Sequence, residues 1–227
     1  MNIRRRVALA ALLGAAAVGC QNQNHQQNAV VPLDTPPEKF EKSKDPPITA
    51  QTHVAAGQLA QSQGNYDESL EQYRKALKLD KNCLEAVYGI ALVYTVQKDY
   101  PHAIETWNQY IKLSKGSATA YSNLGFCHEV AGNFAGAETA YKAGIAKDPK
   151  NEPCHVNYGL MLARHGKPKE GLAELQTVLS PAKAHYDLAS VYESQGNVRD
   201  AKSEYQQAIK LDPSLEDAKQ KLASLGD

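Results

Sequence analysis

Residues 118–151, ATAYSNLGFCHEVAGNFAGAETAYKAGIAKDPKN, are one copy of a unit that the chain writes five times. Small residues mark the first column: Gly57, Ala91, Gly125, Gly159 and Ala189, at steps of 34, 34, 34 and 30. Gly64, Lys98, Gly132, Gly166 and Gly196 keep the same steps. So do Tyr73, Trp107, Tyr141, Leu175 and Tyr205, and a further small-residue column of Ser69, Ala103, Ala137, Gly171 and Ala201. Four columns that share one irregular set of steps point to a stacked repeat architecture, in which each unit buries its apolar face only against its neighbours.

Within a unit the period is helical. Val87, Ile90, Ala91 and Tyr94 fall at i, i+3, i+4 and i+7, and Tyr121, Leu124, Gly125 and His128 repeat those offsets. Turns such as Gln63-Gly64-Asn65, Gly132-Asn133 and Gly196-Asn197 end the first helix, with glycine free to take a left-handed conformation. A second amphipathic helix follows, for example Asp67 to Leu79, and Asp148-Pro149 or Asp212-Pro213 stops it.

On these residues the chain resembles the tetratricopeptide repeat, most fully in the third unit. There Tyr121, Leu124, Gly125, Gly132, Phe134, Ala137, Tyr141 and Pro149 match positions 4, 7, 8, 15, 17, 20, 24 and 32, while Gly144 stands where alanine is usual and His128 departs at position 11. The resemblance implies an all-α superhelix of five helix-turn-helix repeats, at residues 50–83, 84–117, 118–151, 152–181 and 182–215. The fourth is short: from position 27 to the next position 4 the interval is 7 residues at Val178 to His185, against 11 elsewhere. Four residues are close to one helical turn, so the second helix of that repeat should lose its last turn before Pro181. Leu215, Ala218, Leu222 and Leu225 belong to a terminal helix that covers the last repeat and ends within residues 216–227.

The first 19 residues differ from the rest. Arg4, Arg5 and Arg6 precede an apolar run from Val7 to Val18, the layout of a signal peptide that is removed, and the run is too short to span a bilayer. Ala17-Val18-Gly19-Cys20 resembles a bacterial lipobox, which implies lipidation at Cys20 and a protein anchored to a membrane of the cell envelope. The alternative is cleavage after Ala15-Ala16-Ala17, giving a soluble secreted or periplasmic protein. Residues 20–49 are rich in Gln, Asn and Pro without an apolar period, and are expected to be a disordered tether of roughly 30 Å r.m.s. span. The formal net charge is zero, and without the three leader arginines 22 basic residues face 25 acidic ones, so nothing in the charge suggests nucleic acid.

In the family, positions 2, 5, 6, 9, 12 and 13 of each first helix line a concave groove, while 4, 7, 8 and 11 face the core. That assignment puts Leu92, Phe126 and Leu160 at position 9, Tyr88, Val156 and Tyr186 at position 5, and Asn123, Asn157 and Asp187 at position 6. Large apolar side chains on a solvent face suit a partner, and asparagine amides can pair with the main chain of an extended peptide. The expected peptide-groove residues are therefore Tyr88, Leu92, Asn123, Phe126, Asn157, Leu160 and Tyr186. The competing reading is that the apolar ones pack within or between first helices. No repeat has Lys or Arg at position 5 or 6, which sets aside the mode in which chaperone-binding relatives hold a C-terminal carboxylate.

Cys127-His128 and Cys154-His155 together offer four ligand types. Adjacent helical residues diverge by about 100°, so such dipeptides seldom present both ligands to one metal, and no metal site is expected. An oxidising envelope would permit a Cys127–Cys154 disulfide, but the two stand at positions 10 and 3, about 10 Å apart along parallel helices, beyond the usual span, and Cys83 has no evident partner; the spacing favours three free thiols and leaves the bridge open. His102 and His165 sit at turns and His25 in the tether. With no phosphate loop, nucleophile elbow or paired carboxylates, the chain is expected to be no enzyme, to need no cofactor, and to take a protein or peptide partner rather than a small-molecule substrate. A self-assembling structural lipoprotein is the alternative function.

Overall fold

The computed structural model describes residues 47–226, so the leader, Cys20 and most of the tether lie outside the described residues. Those residues form eleven α-helices and no strand. The helices are α1 (Ala50–Ser62), α2 (Tyr66–Leu79), α3 (Leu84–Val96), α4 (Tyr100–Ser114), α5 (Ala118–Val130), α6 (Phe134–Lys147), α7 (Glu152–Arg164), α8 (Pro168–Gln176), α9 (Pro181–Ser194), α10 (Val198–Leu211) and α11 (Glu216–Ser224). They pair as five hairpins, α1 with α2 through α9 with α10, and each hairpin packs on the next. The architecture is the all-α tetratricopeptide-type stack that the columns imply.

Each hairpin turn is built the same way. The last residue of the first helix is followed by a residue of negative φ and then by one with positive φ: Gly64 (78°), Gly132 (79°), Gly166 (80°) and Gly196 (76°). The next amide reaches back five residues to a helix carbonyl, as from Asn133 to His128 at 2.8 Å, which satisfies an end that helical bonding leaves open. Lys98 occupies the same column at φ 62° and carries the left-handed strain that glycine avoids. Asp99, Asn133 and Asn197 then cap the second helices through the amides of His102, Gly136 and Asp200. At the far end Asp80, Asp148 and Asp212 turn extended, and their carboxylates accept the amides of Asn82, Lys150 and Ser214.

The core explains the small-residue column. A Cβ on Gly57 would stand 2.7 Å from the Tyr73 ring, and one on Gly125 would stand 2.5 Å from that of Tyr141. The aromatic at position 24 fills the space that the missing side chain leaves, and each such buried ring contributes about 1.5–3 kcal/mol. Gly144 has a different cause. A Cβ there would collide with the Cys154 thiol and lie 3.1 Å from the Cβ of Tyr121. Position 3 of the following repeat is alanine at Ala86, Ala120 and Ala184 but Cys154 here, so the larger residue on one helix is matched by a smaller one on the other.

The fourth repeat is shortened where the spacing indicates. Its second helix, α8, has 9 residues, against 14 or 15 in α2, α4, α6 and α10. A turn closed by the Leu179 amide on the Leu175 carbonyl at 2.9 Å leads into Pro181, the first residue of α9. At the C-terminal end α11 lays Leu215, Leu222 and Leu225 against the cluster of Ala201, Tyr205, Ala208 and Ala218.

Candidate functional site: the face of the first helices

The side chains of α3, α5, α7 and α9 that the sequence assigns to a groove are half-buried, each resting on core. Leu92 and Phe126 pack against the cluster of Ala91, Trp107, Leu124 and Cys127, and Leu160 packs against Ala163, Leu188 and Val191. Tyr88 meets the Trp107 ring edge-on at 5.4 Å, and Tyr186 lies 5.6 Å from the Tyr205 ring. Position 5 is buried outright at Val54 and Ser122, so this column belongs partly to the interior. At the rim Val96 and Val130, both at position 13, are exposed. Together with Leu92 and Phe126 they give repeats two and three an apolar surface that grades from core to solvent.

Position 6 does not form a uniform ladder. Asn157 donates to the Ser122 hydroxyl at 3.0 Å, and Asp187 accepts from Lys183 at 2.8 Å. The half-buried Asn123 side chain makes no hydrogen bond among the described residues. It stands three residues before Phe126 on α5, beside the apolar surface, with two donors and one acceptor group available.

Charges beside this surface are matched within the protein. Glu129 accepts from Arg164 of the next first helix at 2.7 and 3.0 Å and from the Tyr141 hydroxyl at 3.2 Å. Glu193 accepts from the Tyr205 hydroxyl at 2.6 Å and from Lys221 of α11 at 3.0 Å. Burial raises the Tyr141 and Tyr205 phenols well above their ordinary range, and the carboxylates they face add to it, so both remain donors. Burial would also raise Glu193, but the bonds from Tyr205 and Lys221 outweigh it and hold the carboxyl below its usual range.

These bonds belong to a pairing that the sequence analysis missed. The ring at position 24 donates to position 12 across four of the five hairpins: Tyr73 to Gln61 at 2.9 Å, Trp107 to Thr95 at 3.1 Å, and the two tyrosine–glutamate pairs above. In the fourth repeat both partners are apolar and buried, Leu175 and Ala163. The signal was present in the columns, because position 12 is polar wherever position 24 carries a donor. A second pair, 19 residues apart, joins His53 to Gln72, His155 to Glu174 and His185 to Glu204 at 2.6–2.8 Å.

The cysteine and histidine dipeptides have separate surroundings. Cys127 is buried with its thiol 3.5 Å from the Thr95 hydroxyl. Cys154 donates to the Ala118 carbonyl at 3.2 Å, and burial pushes its thiol up to about 11. His155 is buried between Glu174 and the Pro149 carbonyl, whereas His128 is only half-buried and faces Asn133 at 3.2 Å. Cys83, at the turn between the first two repeats, is buried ahead of α3; the three cysteines among the described residues are free thiols. Among the described residues no group of three or more His, Cys, Asp or Glu could hold a metal ion.

Comparison with known proteins agrees with the repeat pattern. One tetratricopeptide repeat family model matches residues 54–118, and another matches 118–151 and 182–215, together more than half of the chain; the two latter matches bracket the shortened fourth repeat. The general transcriptional corepressor ssn6 of Schizosaccharomyces pombe is 25% identical over 121 residues, 52% of this chain and 11% of its own length. The photosystem I assembly protein Ycf3 of Synechococcus elongatus is 34% identical over 95 residues, 37% of this chain and 55% of its own. The matched region thus spans from about a tenth to about half of these curated relatives. The crystal structure of YrrB, described as a tetratricopeptide protein with an unusual peptide-binding site, superposes with a TM-score of 0.56 and 22% identity, covering 76% of this chain and 91% of YrrB. At that identity the likeness shows the fold.

Proposed function

The chain belongs to the tetratricopeptide repeat family, a fold of protein-interaction scaffolds, and from that premise we propose that it is a membrane-anchored adaptor holding an extended segment of another envelope protein along its first helices. The observation that carries this reading is the surface of Leu92, Val96, Phe126 and Val130 with Asn123 beside it. Apolar side chains of the partner rest on the first four, and Asn123 pairs with its main chain. Because Glu129 and Glu193 are already matched by Arg164 and Lys221, the surface favours an uncharged segment over one bearing a terminal carboxylate. YrrB supplies a precedent of the fold with a peptide-binding site. The arginine-led apolar leader and Cys20 support the anchor and the envelope location.

Photo-crosslinking from Val130 in living cells tests the reading, since this exposed position can be changed without opening the core. One partner protein should be captured from Val96 and Val130 but not from Arg199 on α10, and Asn123→Ala should reduce that capture strongly while leaving thermal unfolding unchanged. Equal capture from Arg199, or capture indifferent to Asn123→Ala, overturns it. Cys20→Ser should move the protein from the membrane to the soluble fraction; continued membrane association would defeat the anchor.

A further inference from the structure

We propose that α1 carries a self-association surface through which two copies of this chain meet in a two-fold dimer. The tenth position of each first helix faces the preceding repeat, and Val93, Cys127, Met161 and Val191 there are 0%, 0%, 4% and 4% exposed. Leu59, the same position in the first repeat, is 60% exposed. Position 3 agrees: Ala86, Ala120, Cys154 and Ala184 are buried, while Thr52 is exposed. At position 7 Ile90, Leu124, Tyr158 and Leu188 are buried, and Ala56 is only half so. Among the described residues no hairpin precedes α1, so the face that four other helices bury is left open on this one.

That face has the shape and spacing of a helix–helix contact. Ile48, 68% exposed just ahead of the helix, is followed at steps of four, three and four by Thr52, Ala55 and Leu59. This is the seam spacing with which one helix meets another, and the small residues Ala55 and Ala56 let a second backbone come close.

Charge selects the occupant. From Ala50 to Ser62 the helix contains no Asp, Glu, Lys or Arg, and its one histidine, His53, is turned toward Gln72. Residues 34–45 of this chain carry Asp34, Glu38, Lys39, Glu41, Lys42, Lys44 and Asp45, which would lose water against an apolar face, and residues 21–33, though free of Asp, Glu, Lys and Arg, lack the apolar helical period that would match the seam. The opposite end of the stack is closed by α11, where Glu216, Asp217 and Lys219 are exposed. A second α1 brings neither cost. In a two-fold contact each group meets its own counterpart, so a charged face would set like against like, and this face has no such conflict. One 13-residue helix is about 20 Å long, short for the ~800 Å² per partner of a standard interface, so the contact is a weak one, with half-dimerisation expected at roughly tens of micromolar.

Sedimentation equilibrium of the full chain in density-matched detergent tests this, with detergent-bound mass removed from the reading. The wild type should show monomer and dimer below about 100 μM, and Leu59→Glu should weaken dimerisation at least about tenfold with helicity and thermal midpoint unchanged. In a Cys20→Ser background, Leu59→Cys should form an interchain disulfide under mild oxidation while Gln220→Cys on α11 does not. A wild-type monomer up to that concentration, a dimer unaffected by Leu59→Glu, or equal cross-linking from Gln220→Cys overturns the proposal. None of these outcomes depends on whether a partner segment binds along the first helices.

Discussion

Gly144 is the residue whose departure from the repeat pattern the sequence displays without explaining. The explanation lies in the next repeat, at Cys154, ten residues on and across an inter-repeat contact that no single column records. Glycine to alanine inside a helix ordinarily stabilises by about 0.5–1 kcal/mol. Here the added methyl meets a fully buried thiol and the Tyr121 Cβ, so Gly144→Ala should instead destabilise by about 1–3 kcal/mol in urea unfolding. Cys154→Ala in the same chain should reverse that loss. If the double variant is no more stable than Gly144→Ala alone, the two positions are not a matched pair.

At the scale of elements, the helices and their turns were legible because each rests on local chemistry: glycine or asparagine after the first helix, Asp-Pro after the second, and a 3.6-residue apolar period between. The groove was less legible. Position arithmetic separates core from solvent by angle alone, and it cannot see that Trp107 and Tyr205 reach far enough across their hairpins to half-cover Tyr88 and Tyr186. Nor did it place Asn157 against Ser122 of the preceding helix. Docking of α11 is another contact between elements, and it depends on pH. Glu193 is held below its unfolded-state pKa of about 4.3, so its contribution is present above that pH and is lost as pH falls through the lower folded value. The protection of α11 amides against hydrogen exchange, relative to the intrinsic rate at each pH, should therefore fall on acidification below about pH 4, and Glu193→Gln should flatten the change. A pH dependence in α11 identical in wild type and variant would assign the effect to other carboxylates.

Across the described array each hairpin touches only its neighbours, so cooperativity must pass through the junctions between them. The fourth repeat is weak within itself, with a short α8 and no polar bond from position 24, yet well tied outside: Arg164 to Glu129, Gln195 to the Arg164 carbonyl at 2.9 Å, and Asn157 to Ser122. Those ties let it fold as part of its neighbours. Trp107 is the chain's one tryptophan and reports on the second repeat, whereas far-ultraviolet dichroism reports on all helices. The two probes should give coincident unfolding in the wild type, and Arg164→Ala should move the dichroism midpoint to lower denaturant while Trp107 lags. Coincidence in the variant would locate the coupling elsewhere. The shortening of α8 also has a meaning for how such a chain can change length. Removing four residues turns the following helix by about 400°, some 40° past a full revolution, so every later side chain returns close to the face it had before. Insertions and deletions in the second helices are thereby counted in whole turns, and a stack can be trimmed or extended at these sites while its downstream columns stay in phase.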